Sequence, residues 1–130
     1  MPVRVQLIDE ALEDLRLAER TGYFHLFLGK LIHIEQHGKD AGLPLKRELI
    51  GWRKAVVGDR NWRIVFTVDP ADTVATILVI GDRDDSACYE DARRRIEALG
   101  NTKPQTVSLA EAMYLIQRAH DVQKKRTRRR

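Results

Sequence analysis

The stretch GWRKAVVGDRNWRIVFTVDPADTVATILVI, residues 51–80, decides the fold. Three runs within it, 51–57, 62–68 and 73–80, are rich in β-branched and aromatic residues, and the GDRN and DPAD segments near their junctions carry turn chemistry. Links this short between consecutive strands favour an antiparallel meander. The third run is apolar on both faces for most of its length, which places it centrally in a sheet. Along the second run, Trp62, Ile64, Phe66 and Val68 point one way and Arg63, Val65 and Thr67 the other.

The flanks are helical. Upstream, VRVQL (3–7) alternates apolar and polar residues and predicts a short strand, with Asp9 after it as a helix N-cap. Ala11, Leu12, Leu15 and Ala18 then recur at helical spacing until ERTG breaks the pattern near Gly22. Tyr23, Phe24, Phe27, Leu28, Leu31 and Ile34 share a broad face of a second helix reaching His37, so the two segments form a helical hairpin with one face to bury. HGKDAGLP reads as a loop. Downstream, residues 86–99 read as a helix with Cys88, Ala92, Ile96 and Leu99 on one face, and GNTKPQT (100–106) as a linker. SLAE (108–111) is a capping box that opens a last helix ending near Gln123. The layout is α+β: a strand and helical hairpin, then an antiparallel sheet, then helices. Residues 1–100 form the expected domain, and residues 101–130 the linker, amphipathic helix and basic tail.

The chain has 130 residues, enough for one domain with its own core. Its formal net charge of +4 is uneven. The tail KKRTRRR (124–130) holds six of the 23 basic residues, which leaves 17 against 19 acidic ones, a net of −2 for the body. Positive charge in the body is local: Lys46, Arg47, Arg53, Lys54, Arg60 and Arg63 cluster within residues 43–70. The tail reads first as a solubilising end and second as a handle for nucleic acid or an acidic partner. A single cysteine, Cys88, excludes an internal disulfide and fits a reducing cytoplasm. The start lacks a secretory h-region and no apolar run reaches membrane length, so the expectation is a cytoplasmic protein without membrane partners.

Few residues invite chemistry. His33 and His37 in HIEQH stand four apart on one helix face, near the zinc pattern H-E-x-x-H, but the Glu falls one place late and no third ligand follows. A surface or half-buried histidine pair is expected, with no metal and no cofactor. Cys88 lies on an apolar stripe and reads as a packed thiol. What remains is the cationic set on the sheet. Arg63 stands on the open face if Trp62 packs on the helices. Arg53 and Lys54 point to opposite faces, so one of them joins it, and alternation leaves open which. Arg83 leaves the end of the third strand, and Tyr89 comes from the first turn of the next helix. Two or three such cations beside a tyrosine suit a phosphodiester: the guanidinium fork fits phosphate oxygens and the ring can stack on a base. On residue types alone, the plainer account is favoured: strand-end arginines paired with Asp59, Asp82 or Asp84, and a core tyrosine.

The order of these pieces resembles the RelE/ParE superfamily of bacterial toxins, including RelE- and HigB-type members. The resemblance runs through LIGWRKAVVGDRNWRIVF to ILVIGDRDDSACYEDA and covers roughly the first hundred residues. Its most specific parts are WRIVF after a Gly-Asp turn, and GDR followed by a tyrosine six residues after its arginine. It implies a twisted antiparallel sheet cupped by helices, and a toxin of a type II toxin–antitoxin pair that cleaves mRNA on the ribosome with the substrate 2′-hydroxyl as nucleophile. The implied partners are a cognate antitoxin, mRNA and the ribosome; the oligomeric state is left open. Arg63 matches the family arginine that holds the scissile phosphate, and Arg83 the one assigned to transition-state support or leaving-group protonation. Tyr89 matches the tyrosine that stacks on or orients the nucleotide. Lys54, with Arg53 as second candidate, falls where the family places a basic residue near the 2′-hydroxyl. Arg53, Arg60, Lys46 and Arg47 are the further cations expected to bind RNA. The same resemblance accommodates a ParE-like gyrase poison, and the acidic body accommodates an inactive member that only binds its antitoxin.

Overall fold

The computed structural model describes residues 2–58, 62–81, 85–100 and 102–128, without the side chains of residues 85, 86 and 123–128. The meander forms as its turns predict. β3 (Arg53–Val57), β4 (Trp62–Val68) and β5 (Val74–Gly81) pair antiparallel in sequence order. β1 (Arg4–Ile8) lies parallel to β5 on its other side, so the apolar third strand is central as expected. Two short strands close the edges, β2 (Leu43–Pro44) beside β3 and β6 (Thr106–Ser108) beside β1, giving the order β2-β3-β4-β5-β1-β6. β5 carries an extra residue where Val65 pairs with Val79 but Phe66 with Ile77, and Ile77 to Ile80 are all buried.

The helical hairpin covers one face. α1 (Asp9–Arg20) and α2 (Phe24–His37) bury Ala11, Leu15 and Ala18, and Phe27, Leu31 and Ile34. Trp62 meets them as its strand parity requires: its ring stacks on Phe27 at 5.7 Å and tilts against Tyr23 at 4.5 Å. Gly22, between the helices, has a φ of +82°, a conformation that favours glycine. α3 (Asp85–Leu99) crosses part of the opposite sheet face, and α4 (Leu109–Arg128) buries Leu109, Ala112 and Ile116. No helix among the described residues is long and apolar enough to cross a membrane.

Four sequence expectations need correction. Asp9 is not an N-cap: β1 runs directly into α1, and the cap position is the buried strand residue Ile8, with no side-chain cap bond. Asp9 and Glu10 instead occupy the first turn, where the helix dipole favours acids. The segment read as a loop after α2 contains two residues of β2 and a 3₁₀ turn, Gly38–Ala41. The strand β6 was not announced by alternation, because three residues are too few to show a period. α4 runs past Gln123 to Arg128. The Ser108 half of its expected capping box forms, with the Glu111 amide donating to Ser108 Oγ at 3.1 Å.

One buried ion pair joins the layers. β1 matches β5 only from Val74 to Ile77, because the chain turns into α1 there. Along the remaining edge of β5, the Ile80 amide donates to Asp14 Oδ2 at 3.0 Å, and Arg95 Nη1 donates to the Leu78 carbonyl at 2.8 Å. Arg95 also donates to both Asp14 oxygens, at 2.6 and 3.0 Å. Asp14 of α1 and Arg95 of α3 thus supply the acceptor and donor that a longer strand would have provided. Burial pushes the Asp14 carboxyl up, outweighing the bonds from Arg95 and the Ile80 amide that pull it down. Burial opposes the Arg95 charge, but Asp14 and the carboxylates of Glu10 and Asp91 outweigh it and hold the guanidinium ionised.

Asp14→Ala takes the carboxylate from both Nη atoms of a buried guanidinium, leaving Glu10 at 3.1 Å from Nε, and is expected to lower unfolding free energy by about 3 kcal/mol in urea titrations; the double change Asp14→Leu/Arg95→Met, which removes both of these charges, should recover most of it. A second expectation concerns the β4–β5 turn. Asp69 accepts from the Thr73 amide, the Thr73 hydroxyl and the Val74 amide at 2.7, 2.6 and 2.9 Å, and these bonds hold its carboxyl below its ordinary range. A depressed native pKa contributes stability above the unfolded pKa and loses it as pH falls through the native value. The advantage of the native protein over Asp69→Asn should therefore be full at neutral pH and vanish progressively below about pH 4, as read by thermal unfolding.

Candidate functional site

The register of β3 on β4 settles which of two adjacent cations joins Arg63. Val56 lies opposite Arg63, and Lys54 opposite Val65. Cross-strand partners share a face, so Lys54 and Arg63 stand on the same side as diagonal neighbours. Arg53 pairs with Phe66 and shares the other face. There its guanidinium donates to the carbonyls of Lys39 and Gly42 at 3.1 and 3.0 Å. A Cβ on Gly42 would lie 2.7 Å from the Lys54 carbonyl oxygen, so only glycine lets this segment approach β3 so closely.

α3 crosses the Lys54 face and brings Tyr89 to it. Cys88 is buried, and its Sγ lies 3.5 Å from where a Cβ of Gly81 would be; Gly81 is the β5 residue opposite Arg63. The next residue, Tyr89, is half-buried, with its ring centroid 6.0 Å from Lys54 Nζ, at the outer limit of a cation–π contact. Arg63 is half-buried as well, and its Nη1 donates to the Trp62 carbonyl at 3.0 Å. Lys54, Arg63 and Tyr89 therefore share one side of the sheet, a cationic strip beside an aromatic ring.

The other expected residues fall differently. Lys46 and Arg47 are exposed beside a 3₁₀ turn, Arg47–Leu49, that packs against α3; Arg47 has a positive φ of 59°. An ion pair of 3.8 Å between Arg93 and Glu48 ties this turn to α3, next to the Lys54 face. Arg60 and Arg83 lie outside the described residues, as do Asp59, Asp82 and Asp84. The packed thiol expected of Cys88 is found. Among the described residues, no group of three or more His, Cys, Asp or Glu is placed to hold a metal ion.

Sequence reasoning missed Asp14 and Arg95, the pair that fixes α3 and hence Tyr89. A signal was present. Asp14 stands three residues after Ala11 and four before Ala18, and Arg95 three after Ala92, so each puts a charge on the apolar face of its helix. Opposite charges on two buried faces point to a partner across the core.

Neither a protein-family model nor a curated protein sequence matches this chain. Solved structures do. The toxin–antitoxin complex RelBE2 from Mycobacterium tuberculosis contains a chain with 26% identity and a TM-score of 0.54; the match covers 64% of this chain and 100% of that one. A mutant of E. coli toxin RelE with two arginines replaced by alanine, in the free state, matches at 20% identity with a TM-score of 0.57, covering 74% of this chain and 99% of that one. Both are spanned almost end to end, and this chain carries residues beyond them. The mixed sheet, with the hairpin on one face and α3 on the other, is the fold of the RelE-like toxins.

Proposed function

We propose that this chain is the toxin of a type II toxin–antitoxin pair and acts as a ribosome-dependent endoribonuclease on mRNA. The observation that carries the reading is the grouping of Lys54, Arg63 and Tyr89 on one side of the sheet, with Tyr89 6.0 Å from Lys54 Nζ. The similarity to a chain of the RelBE2 toxin–antitoxin complex supports a cognate antitoxin as partner.

The chemistry needs no protein nucleophile. The substrate 2′-hydroxyl gives its proton to solvent as its oxygen attacks the adjacent phosphorus, the bond from phosphorus to the 5′-oxygen breaks, the leaving 5′-oxygen takes a proton from solvent, and a 2′,3′-cyclic phosphate and a 5′-hydroxyl result. Arg63 grips the non-bridging oxygens, where its fork of donors gains strength as charge accumulates. The Lys54 ammonium stabilises negative charge developing on the 2′-oxygen. Tyr89 stacks on the neighbouring base and fixes the in-line geometry. Arg83 takes the leaving-group side by its resemblance to the family pattern. Lys46 and Arg47, exposed on the turn beside α3, extend the positive rim along the RNA backbone.

Arg63→Ala and Lys54→Ala should each lower the rate of ribosome-bound mRNA cleavage by about 10²–10³-fold, with the far-UV circular dichroism unchanged. Primer extension on transcripts recovered after brief induction reads the cuts directly. Growth arrest with intact transcripts, accompanied by DNA damage, would replace this reading with gyrase poisoning.

A further inference from the structure

The histidines at the end of α2 lie outside the site above. His33 and His37 stand one turn apart, with ring centroids 4.4 Å from each other and ring planes at 46°. Imidazole nitrogens bind late transition ions at about 2.0–2.1 Å, which puts each ring centroid roughly 3.2 Å from the ion. Two rings at a right angle about one ion then have centroids about 4.5 Å apart. The observed spacing meets that requirement.

We propose that His33 and His37 form a two-imidazole chelate for a late first-row divalent ion, Cu2+ above Ni2+ and Zn2+, on the flank of α2. Both rings sit in its last turns, where the carbonyl end of the helix dipole favours a cation. His37 is exposed and His33 half-buried, so an ion reaches them from solvent. Lys30 stands one turn before His33 on the same helix, while Lys39 beyond the helix turns to Asp72 at 3.7 Å. The remaining coordination positions are open to water or to a ligand from a partner. Affinity across these ions follows the order that imidazole sites show in general.

The site is independent of the proposed nuclease activity. α2 packs through Phe27 on Trp62, on the sheet face opposite Arg63. Calorimetric titration of the full chain with CuCl2, NiCl2, ZnCl2 and MgCl2 tests it. Saturable binding with one ion per chain is expected for the first three, tightest for Cu2+, and none for Mg2+, which prefers oxygen ligands. His33→Gln and His37→Gln should each weaken Cu2+ binding at least tenfold, and the double change should abolish it. His25→Gln, at the far end of α2, should leave it unchanged. Circular dichroism of each variant without metal should match the native protein, since His37 is exposed and His33 only half-buried. Wild-type affinity in the double variant, or no saturable Cu2+ binding by the native chain, would overturn the assignment. mRNA cleavage by the double variant is expected to be native, so failure here leaves the nuclease reading untouched.

Discussion

A buried arginine gripping a carboxylate closes the stretch of strand edge that a short neighbouring strand leaves open. β5 is the central strand, yet its partner β1 stops short because the chain turns there into α1. The last residues of β5 would expose backbone donors and acceptors inside the protein. Asp14 from one helical layer and Arg95 from the other occupy that gap, accept from Ile80 and donate to Leu78, and satisfy each other. A buried ion pair adds little net stability, because desolvation offsets attraction. Its value here is geometric: the two charges must meet at one point, so the three layers they belong to adopt one arrangement.

The candidate site inherits that arrangement. Tyr89 lies six residues before Arg95, under two turns along α3, so a helix anchored at Arg95 presents Tyr89 to the sheet at a set height. The sheet face opposite the hairpin then supplies Lys54 and Arg63. Trp62 anchors the other face by stacking on Phe27, and a slip of one residue in β4 would exchange tryptophan for arginine in the core. The same aromatic packing that builds the core therefore holds Arg63 on the other side. The acidic excess of the body leaves a local positive patch here, because Lys54 and Arg63 share this face and Lys46 and Arg47 lie on the turn beside α3.

The elements with strong periodicity were legible. β4 matches its expected span, and α1, α2 and α3 fall within one or two residues of theirs, because each carries enough apolar repeats to declare its period. The edges were not. β2 and β6 are two and three residues long, and such strands exist because a neighbouring strand offers its backbone, not because their own side chains demand it. The N-cap expected at Asp9 failed for a related reason: a strand feeding straight into a helix leaves no loop residue to cap it.

Alternation by itself determined that Arg63 opposes Trp62 and that Arg53 and Lys54 point to opposite sides, because side-chain parity along a strand is a local property of the backbone. Helical spacing likewise put His33 beside His37, and put Asp14 and Arg95 on apolar faces. Only the tertiary structure decided that Lys54 is the one beside Arg63, since pairing across β3 and β4 depends on where two distant segments come into register. It alone brought Tyr89 over that lysine and joined Asp14 to Arg95 across 81 positions of chain, because such contacts arise from how layers pack and leave no period in the sequence.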